Sequence, residues 1–176
     1  GSVQSSPPMT AVDRTVLRTD RLILRHACPS DLDAFFAIYS DPHALRYWSS
    51  APHTDRAQTQ KKLDRMMSDA ARGRVFVIER DGRAIGHVGA DNHGEVGFLL
   101  HPDHWRHGIV SEAMRALIPH LFAGGLTRLT ADADPRNAAS IGLLTSLGFT
   151  ETHRADRTYC IAGEWSDSVY FTLDRP

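Results

Sequence analysis

The run Trp105-Arg106-His107-Gly108-Ile109-Val110-Ser111 has the residue types of an anion cradle. An apolar stretch ending at Leu100 passes through a short loop into a helical pattern that opens at Gly108. The first N–H groups of a helix have no partner within it, and the helix dipole adds positive charge at that end. A phosphate placed there is held by geometry alone. Gly108 lets the backbone approach such a ligand closely. Arg106 and His107 add charge, and Ser111 adds a hydroxyl. Locally, the same residues fit an ordinary strand–loop–helix junction in which Gly108 serves only the turn. No Gly-Lys-Ser/Thr follows, so this is not a P-loop, and the three spaced glycines of a dinucleotide fingerprint are missing.

The ten histidines raise a second chemistry, metal binding. His101, His104 and His107 are regularly spaced, but Pro102 and the cradle loop break a shared ligand geometry and no cysteine is near. No metal is therefore expected.

The elements that would carry the cradle follow from periodicity. Thr19 to Arg25 reads as a strand. Ser30 caps a helix in which Leu32, Phe35, Phe36 and Tyr39 share a face, and Asp41-Pro42 ends it. A second helix is predicted over 54–71, with Leu63, Met66, Met67 and Ala70 as its stripe. Val75–Ile78 and Ala84–Gly89 flank Asp81-Gly82, a strong hairpin signal. Glu95–Leu100 continues the meander. A helix over 108–122 contains Pro119, which predicts a kink or an early end. A strand over 126–132, a helix from Asn137 to Leu147, and strands near 149–154 and 167–173 follow. The order is β α α β β β α β α β β, an α/β chain with a mostly antiparallel sheet.

Composition limits what surrounds this. The 176 residues suit one domain, placed at 15–176 after a disordered lead over 1–14, whose Gly1-Ser2 reads as a tag remnant. Twenty basic residues face twenty-one acidic ones, for a net charge of -1, which offers nucleic acid no general attraction. There is no apolar run of membrane-spanning length and no signal-peptide pattern. Two cysteines make no disulfide framework, and the chain is expected to be cytoplasmic.

At this point the sequence resembles the GCN5-related N-acetyltransferases (GNAT), and within them the bacterial branch that acetylates ribosomal-protein N-termini. That branch usually reads Tyr-Trp-Gly-Lys-Gly-Tyr-Ala-Thr-Glu-Ala where this chain has His104-Trp105-Arg106-His107-Gly108-Ile109-Val110-Ser111-Glu112-Ala113. Trp105, Gly108, Glu112 and Ala113 match, whereas Arg106 stands in place of a glycine and Val110 in place of a small residue. Thr19–Arg25 resembles the opening strand, and Glu95-Val96-Gly97-Phe98 the Glu-Ile-Gly-Tyr strand. Asn137-Ala138-Ala139-Ser140 with Leu147-Gly148-Phe149 resembles the Asn-x-x-Ser…Leu-Gly-Phe block.

The resemblance implies the GNAT fold, with a mixed central sheet of about seven strands and helices on both faces. It implies that an amine attacks the thioester of acetyl-CoA directly in a ternary complex. The cradle then holds the coenzyme pyrophosphate. The backbone of Phe98, Leu99 and Leu100 pairs with the pantetheine arm and supplies the oxyanion donor, and Asn137 and Ser140 complete the coenzyme site. Many members use a tyrosine to protonate the leaving thiolate, but Leu144 stands at that position, so Ser140 is the substitute, a helix-capping hydroxyl being its other reading. Glu95 is the first choice of base and His93 the second. Tyr47, Trp48, Tyr159 and Trp165 are expected to line the acceptor pocket. The acceptor is an amine of a protein N-terminus or a small molecule, and the chain a monomer or homodimer. The alternatives are a non-catalytic acyl-CoA-binding module on the same fold and an acyltransferase using another acyl-CoA.

Overall fold

In the computed structural model, residues 15–176 are described, so the expected lead over 1–14 and its tag remnant lie outside the described residues. The first two strands are short: β1 (Leu17–Arg18) turns back into β2 (Ile23–Arg25), closed by a 3.0 Å hydrogen bond from Thr19 N to Leu22 O. A single 3-10 turn at Pro29–Asp31 leads into α1 (Leu32–Tyr39). After a loop, Asp55 caps α2 (Arg56–Met67), its carboxylate accepting from Gln58 N. Then come β3 (Val75–Arg80), β4 (Arg83–Ala90), β5 (Val96–Leu100), α3 (Ile109–Ala123), β6 (Arg128–Ala133), α4 (Ala138–Ser146), β7 (Thr150–Ile161) and β8 (Glu164–Asp174). Asp81 and Gly82 both have positive φ, 50° and 77°, the geometry of the tight hairpin that their types predict.

The strands form two sheets, a five-stranded one in the order β1-β2-β3-β4-β5 and a three-stranded one in the order β6-β8-β7. Every ladder is antiparallel. Between the sheets runs a parallel contact at one position, the bridge from Glu95 to Thr130. The larger core buries α3 and Leu144 of α4 against residues such as Phe76, Val88, Leu129 and Phe171. A second core packs α1 and α2 on the other face, around Phe35, Leu63, Val77 and Leu99.

Four expectations are corrected. There are eight strands among the described residues, because residues 19–22 of the expected opening strand form a turn, its remainder is β2, and a further short strand, β1, lies just ahead of the expected start and pairs with it. The second helix ends at Met67, a separate 3-10 turn follows at Asp69–Ala71, and Ala70 is exposed while Thr59 is buried. α3 does not end early at Pro119 but runs on to Ala123; the proline is exposed, so the carbonyl it leaves unpaired lies on the solvent side of the helix. The last two strands are far longer than periodicity suggested and run to a turn at Ala162–Gly163. Strand signals fade there because β7 is an edge strand with most of its residues exposed, so no apolar face needs to be kept.

Glu112 fastens the N-terminal turn to α3. Its carboxylate accepts from Thr19 Oγ1 at 2.5 Å, from Arg21 N at 3.1 Å and from Arg21 Nε at 2.8 Å. Partial burial alone would raise its pKa, but these donors outweigh it and hold the group below the usual carboxylate range. Glu112→Ala should lower the urea midpoint, with a stability loss of about 1–2 kcal/mol and an unchanged m-value. An unchanged midpoint would show that the clamp contributes nothing net.

Candidate active site

The parity of the β4–β5 ladder decides which backbone groups of β5 are free. Asp91 N donates to Glu95 O at 3.0 Å and His101 N to Ile85 O at 2.8 Å. In an antiparallel pair, hydrogen-bonded and non-bonded positions alternate. With His87 opposite Leu99 and Gly89 opposite Gly97, Gly97 and Leu99 turn their N–H groups into the ladder. Phe98 and Leu100 turn theirs the other way, towards the space that opens once β5 and β6 part beyond the Glu95–Thr130 bridge. Of the three residues expected to offer backbone donors, two face the gap. Leu99 pairs with His87 instead, and its side chain lies in the second core.

The gap leads to the cradle. Leu100 O accepts from Trp105 Nε1 at 2.9 Å, so the indole holds the cradle loop to the end of β5. The first helical bond of α3 runs from Glu112 N to Gly108 O, which leaves the N–H groups of Ile109, Val110 and Ser111 ahead of the helical ladder. The side chain of Ile109 is 1% exposed, so this residue presents only its backbone, and Val110 packs against the core. Gly108 has φ 70° and Arg106 φ 64°, so two left-handed residues shape the loop. This accounts for the glycine that the family prefers where Arg106 stands: the backbone is left-handed there, and a side chain makes it strained. Both Arg106 and His107 are exposed.

Asn137 caps α4 from across the gap, with Oδ1 accepting from Ser140 N at 3.2 Å and Nδ2 donating to Ser140 Oγ at 2.9 Å. Asn137, not Ser140, is the cap. The Ser140 hydroxyl accepts from the amide, and its own proton remains available. Leu144 is 0% exposed, so its position faces the core and offers no hydroxyl.

Glu95 is exposed at the start of β5, beside the bridge. Partial burial and the charges of Asp132 and Asp91 hold its carboxyl above the usual range. His93, also exposed, sits in the preceding turn, where its N–H donates to Asp91 Oδ1. Tyr159 Oη donates to Asp132 Oδ2 at 2.7 Å. Tyr47 lies under Arg46 and Arg136, whose guanidinium carbons are 5.1 and 5.7 Å from the ring centre. Arg136 also holds Asp134 at 2.7 Å and Ser166 at 3.2 Å, linking the loop after α1 to the β7–β8 hairpin. Trp165 is 49% exposed and stacks under Arg157, further out on that hairpin.

Sequence reasoning did not single out one polar cluster in the second core. Tyr39 Oη and His87 Nε2 are hydrogen-bonded at 2.8 Å, the Tyr39 ring stacks on His53 at 4.8 Å, and Trp48 packs edge-on against both Tyr39 and His87. Burial, with a smaller contribution from the charge of Lys62, lowers the His87 pKa to about 4. A histidine inside an otherwise apolar strand was the available signal. The His101 and His104 rings are 6.4 Å apart, and among the described residues no group of three or more His, Cys, Asp or Glu side chains could hold a metal ion. No helix among the described residues is long and apolar enough to cross a membrane.

Two strands that run parallel at one bridge, part, and lead to a helix N-terminus leave an open cleft faced by backbone donors. The sequence profile of the acetyltransferase (GNAT) domain matches residues 21–150, and the chain belongs to that family. It is an N-acetyltransferase. Over 144 residues it is 31% identical to the uncharacterized N-acetyltransferase p20 of Bacillus licheniformis, covering 76% of this chain and 81% of that one. Over 145 residues it is 32% identical to the uncharacterized N-acetyltransferase YoaA of Bacillus subtilis, covering 76% and 82%. It superposes with a TM-score of 0.79 on RimL, a ribosomal L7/L12 α-N-protein acetyltransferase solved with coenzyme A, at 18% identity, covering 91% of this chain and 98% of that one. At that identity the likeness is one of fold.

The half-buried His87 makes a pH-dependent contribution to stability. Its folded pKa of about 4 lies below the ordinary 6.5, so the unfolded chain takes up a proton first as pH falls. Stability is whole above pH 6.5 and is lost between there and about pH 4, by up to about 3 kcal/mol. Urea titrations should show this fall, and His87→Gln should flatten it. A wild-type curve already flat over that window would contradict the assignment.

Proposed function

We propose that this chain transfers an acetyl group from acetyl-CoA to a primary amine, by direct attack in a ternary complex. The observation that carries the reading is the gap between β5 and β6, which starts at one bridge, is faced by the N–H groups of Phe98 and Leu100, and ends at the N-terminus of α3. These residues fit the coenzyme. An extended pantetheine arm has amide groups that can pair with a half-satisfied strand, and its pyrophosphate suits N–H groups ahead of a helical ladder. The backbones of Ile109, Val110 and Ser111, with Gly108, Arg106 and His107, would hold the phosphates, and Asn137 the arm.

When bound, acetyl-CoA supplies the acyl group as an activated thioester. Glu95 takes the proton from the amine nitrogen as the C–N bond forms. The Phe98 N–H donates to the acyl oxygen, where negative charge develops. The Ser140 hydroxyl, oriented by Asn137, gives its proton to the sulfur as the C–S bond breaks and takes one back from solvent, to which Glu95 releases the proton it accepted. The acceptor lies against Glu95, between the loop carrying Tyr47 and Trp48 and the hairpin carrying Tyr159. An α-amine, with a pKa of about 7.7–8.0, is partly neutral near pH 7, whereas a lysine at about 10.4 needs a stronger base. This favours an α-amine acceptor, of a protein N-terminus or a small molecule; RimL, with the same fold, is named for such an acceptor.

Thiol release from acetyl-CoA, followed over a panel of peptides, amino acids, polyamines and aminoglycosides, tests the reading directly. Coenzyme binding without turnover on any amine would replace it with a non-catalytic acyl-CoA-binding module. Faster turnover with succinyl-CoA would replace the acyl group. Ser140→Ala should lower kcat roughly 10²-fold with little change in the KM for acetyl-CoA. Gly108→Val, a β-branched residue at φ 70°, should cost about 1–2 kcal/mol of stability and abolish the rise in Tm that acetyl-CoA produces. Normal coenzyme affinity in that variant would remove the phosphates from this loop.

A further inference from the structure

We propose that Tyr159 and Asp132 form a positioning pair for the reaction: the tyrosine hydroxyl fixes the Asp132 carboxylate on β6 so that a second negative charge stands beside the general base, Glu95. The inference rests on the reading of Glu95 as base.

The geometry comes from three elements. Glu95, immediately before β5, bridges Thr130 of β6. Asp132 is two residues further along β6, so it projects from the same side of the strand as Thr130, roughly 7 Å on. Tyr159 belongs to β7, which is separated from β6 by β8, and yet its hydroxyl reaches Asp132 at 2.7 Å. It does so from a part of the hairpin where β8 has no β6 partner, since the β6–β8 ladder ends at the pair Ala133–Val169 while Tyr159 pairs with Ser166. An irregularity in the β7 register between Ala155 and Tyr159, with Arg157 at φ 54°, sets that side chain's direction. Beneath it, Asp132 pairs with Tyr170, whose ring stacks on His153 at 4.4 Å.

The charged groups around Glu95 favour the same conclusion. Asp91 in the preceding turn, whose Oδ1 accepts from Glu95 N at 3.0 Å, and Asp132 on β6 both act against its ionisation. The cations of the neighbouring elements are engaged elsewhere: Arg128 with Asp174 at 2.6 Å, and Arg136 with Asp134 at 2.7 Å. Partial burial, the bond to Asp132 and the charges of Asp132 and Glu95 keep the Tyr159 phenol protonated, so it stays a donor. A carboxylate held by one donor and facing another carboxylate makes that neighbour a better proton acceptor near neutral pH. The hydrogen bond would also tie the hairpin to β6, and a purely structural role predicts no effect on proton transfer.

The pH dependence of kcat, at saturating acetyl-CoA and a saturating α-amine acceptor found in the panel, separates these roles. Removing the neighbouring charge lowers the pKa of Glu95, so the acid limb moves to lower pH. Asp132→Asn should move it by about one unit, Tyr159→Phe in the same direction by less, and Asp132→Glu should leave it near its original place. Glu95→Gln should remove that limb and slow the reaction roughly 10²-fold. If Glu95→Gln removes the limb while Asp132→Asn and Tyr159→Phe leave it in place, the pair is structural and this inference is overturned, with Glu95 still the base. If Glu95→Gln leaves the limb unchanged, the base has been misassigned and the pair has nothing to position. Melting curves of each variant report folding, and Asp132→Asn, which keeps an acceptor for the Tyr159 hydroxyl, carries the test should Tyr159→Phe unfold.

Discussion

The architecture of the proposed site depends on two parallel strands that touch at one bridge and then separate. A buried strand normally satisfies both of its edges, because an unpaired N–H or C=O away from water costs as much as a lost hydrogen bond. Here β5 satisfies one edge against β4 and leaves the other open after Glu95 meets Thr130. The open edge is kept from closing by what flanks it. The Trp105 indole occupies the Leu100 carbonyl, and Leu129, Ala131, Val169 and Phe171 anchor the second sheet to the common core. An extended ligand with amide groups is the chemical complement of such an edge, much as a peptide adds a strand to a sheet.

The cradle at the far end of that gap is assembled from restraints outside it. Ile109 is buried and α3 is packed along its length, so the helix start cannot drift. Glu112 ties its first turn to Thr19 and Arg21. The loop itself accepts two left-handed residues, one of which is an arginine. That conformation costs energy and persists only because Trp105 on one side and the helix on the other define the path between them.

The side on which we place the acceptor is built differently. It brings together the loop after α1, the turn after β6 and a long hairpin, elements far apart in sequence and joined by a few polar contacts. Arg136 meets Tyr47, Asp134 and Ser166, while Tyr159 meets Asp132. Below the loop, Tyr39, His53 and His87 make a polar inclusion within the second core. Side-chain contacts of this kind tolerate substitution more readily than a backbone edge does.

The sequence by itself determined the order of elements, apart from the short β1, and the strand–loop–helix junction at Gly108. These rest on local signals: alternation, helical stripes, Asp81-Gly82 and the residue types around Gly108. It also placed Asn137 at the start of α4, because a cap acts over three residues. Tertiary structure alone decided which β5 amides are free, since ladder parity depends on the partner strand, and it therefore assigned Phe98 and Leu100 to the gap and Leu99 to β4. It alone gave Glu112 its clamp across 93 residues, Trp105 its carbonyl and Tyr159 its carboxylate. It also carried α3 through Pro119, whose ring faces water, and drew out β7 and β8 beyond any apolar pattern. Periodicity records only which side of an element is buried. Which distant residue meets an exposed or half-exposed polar atom depends on how the elements pack, and no local pattern encodes it.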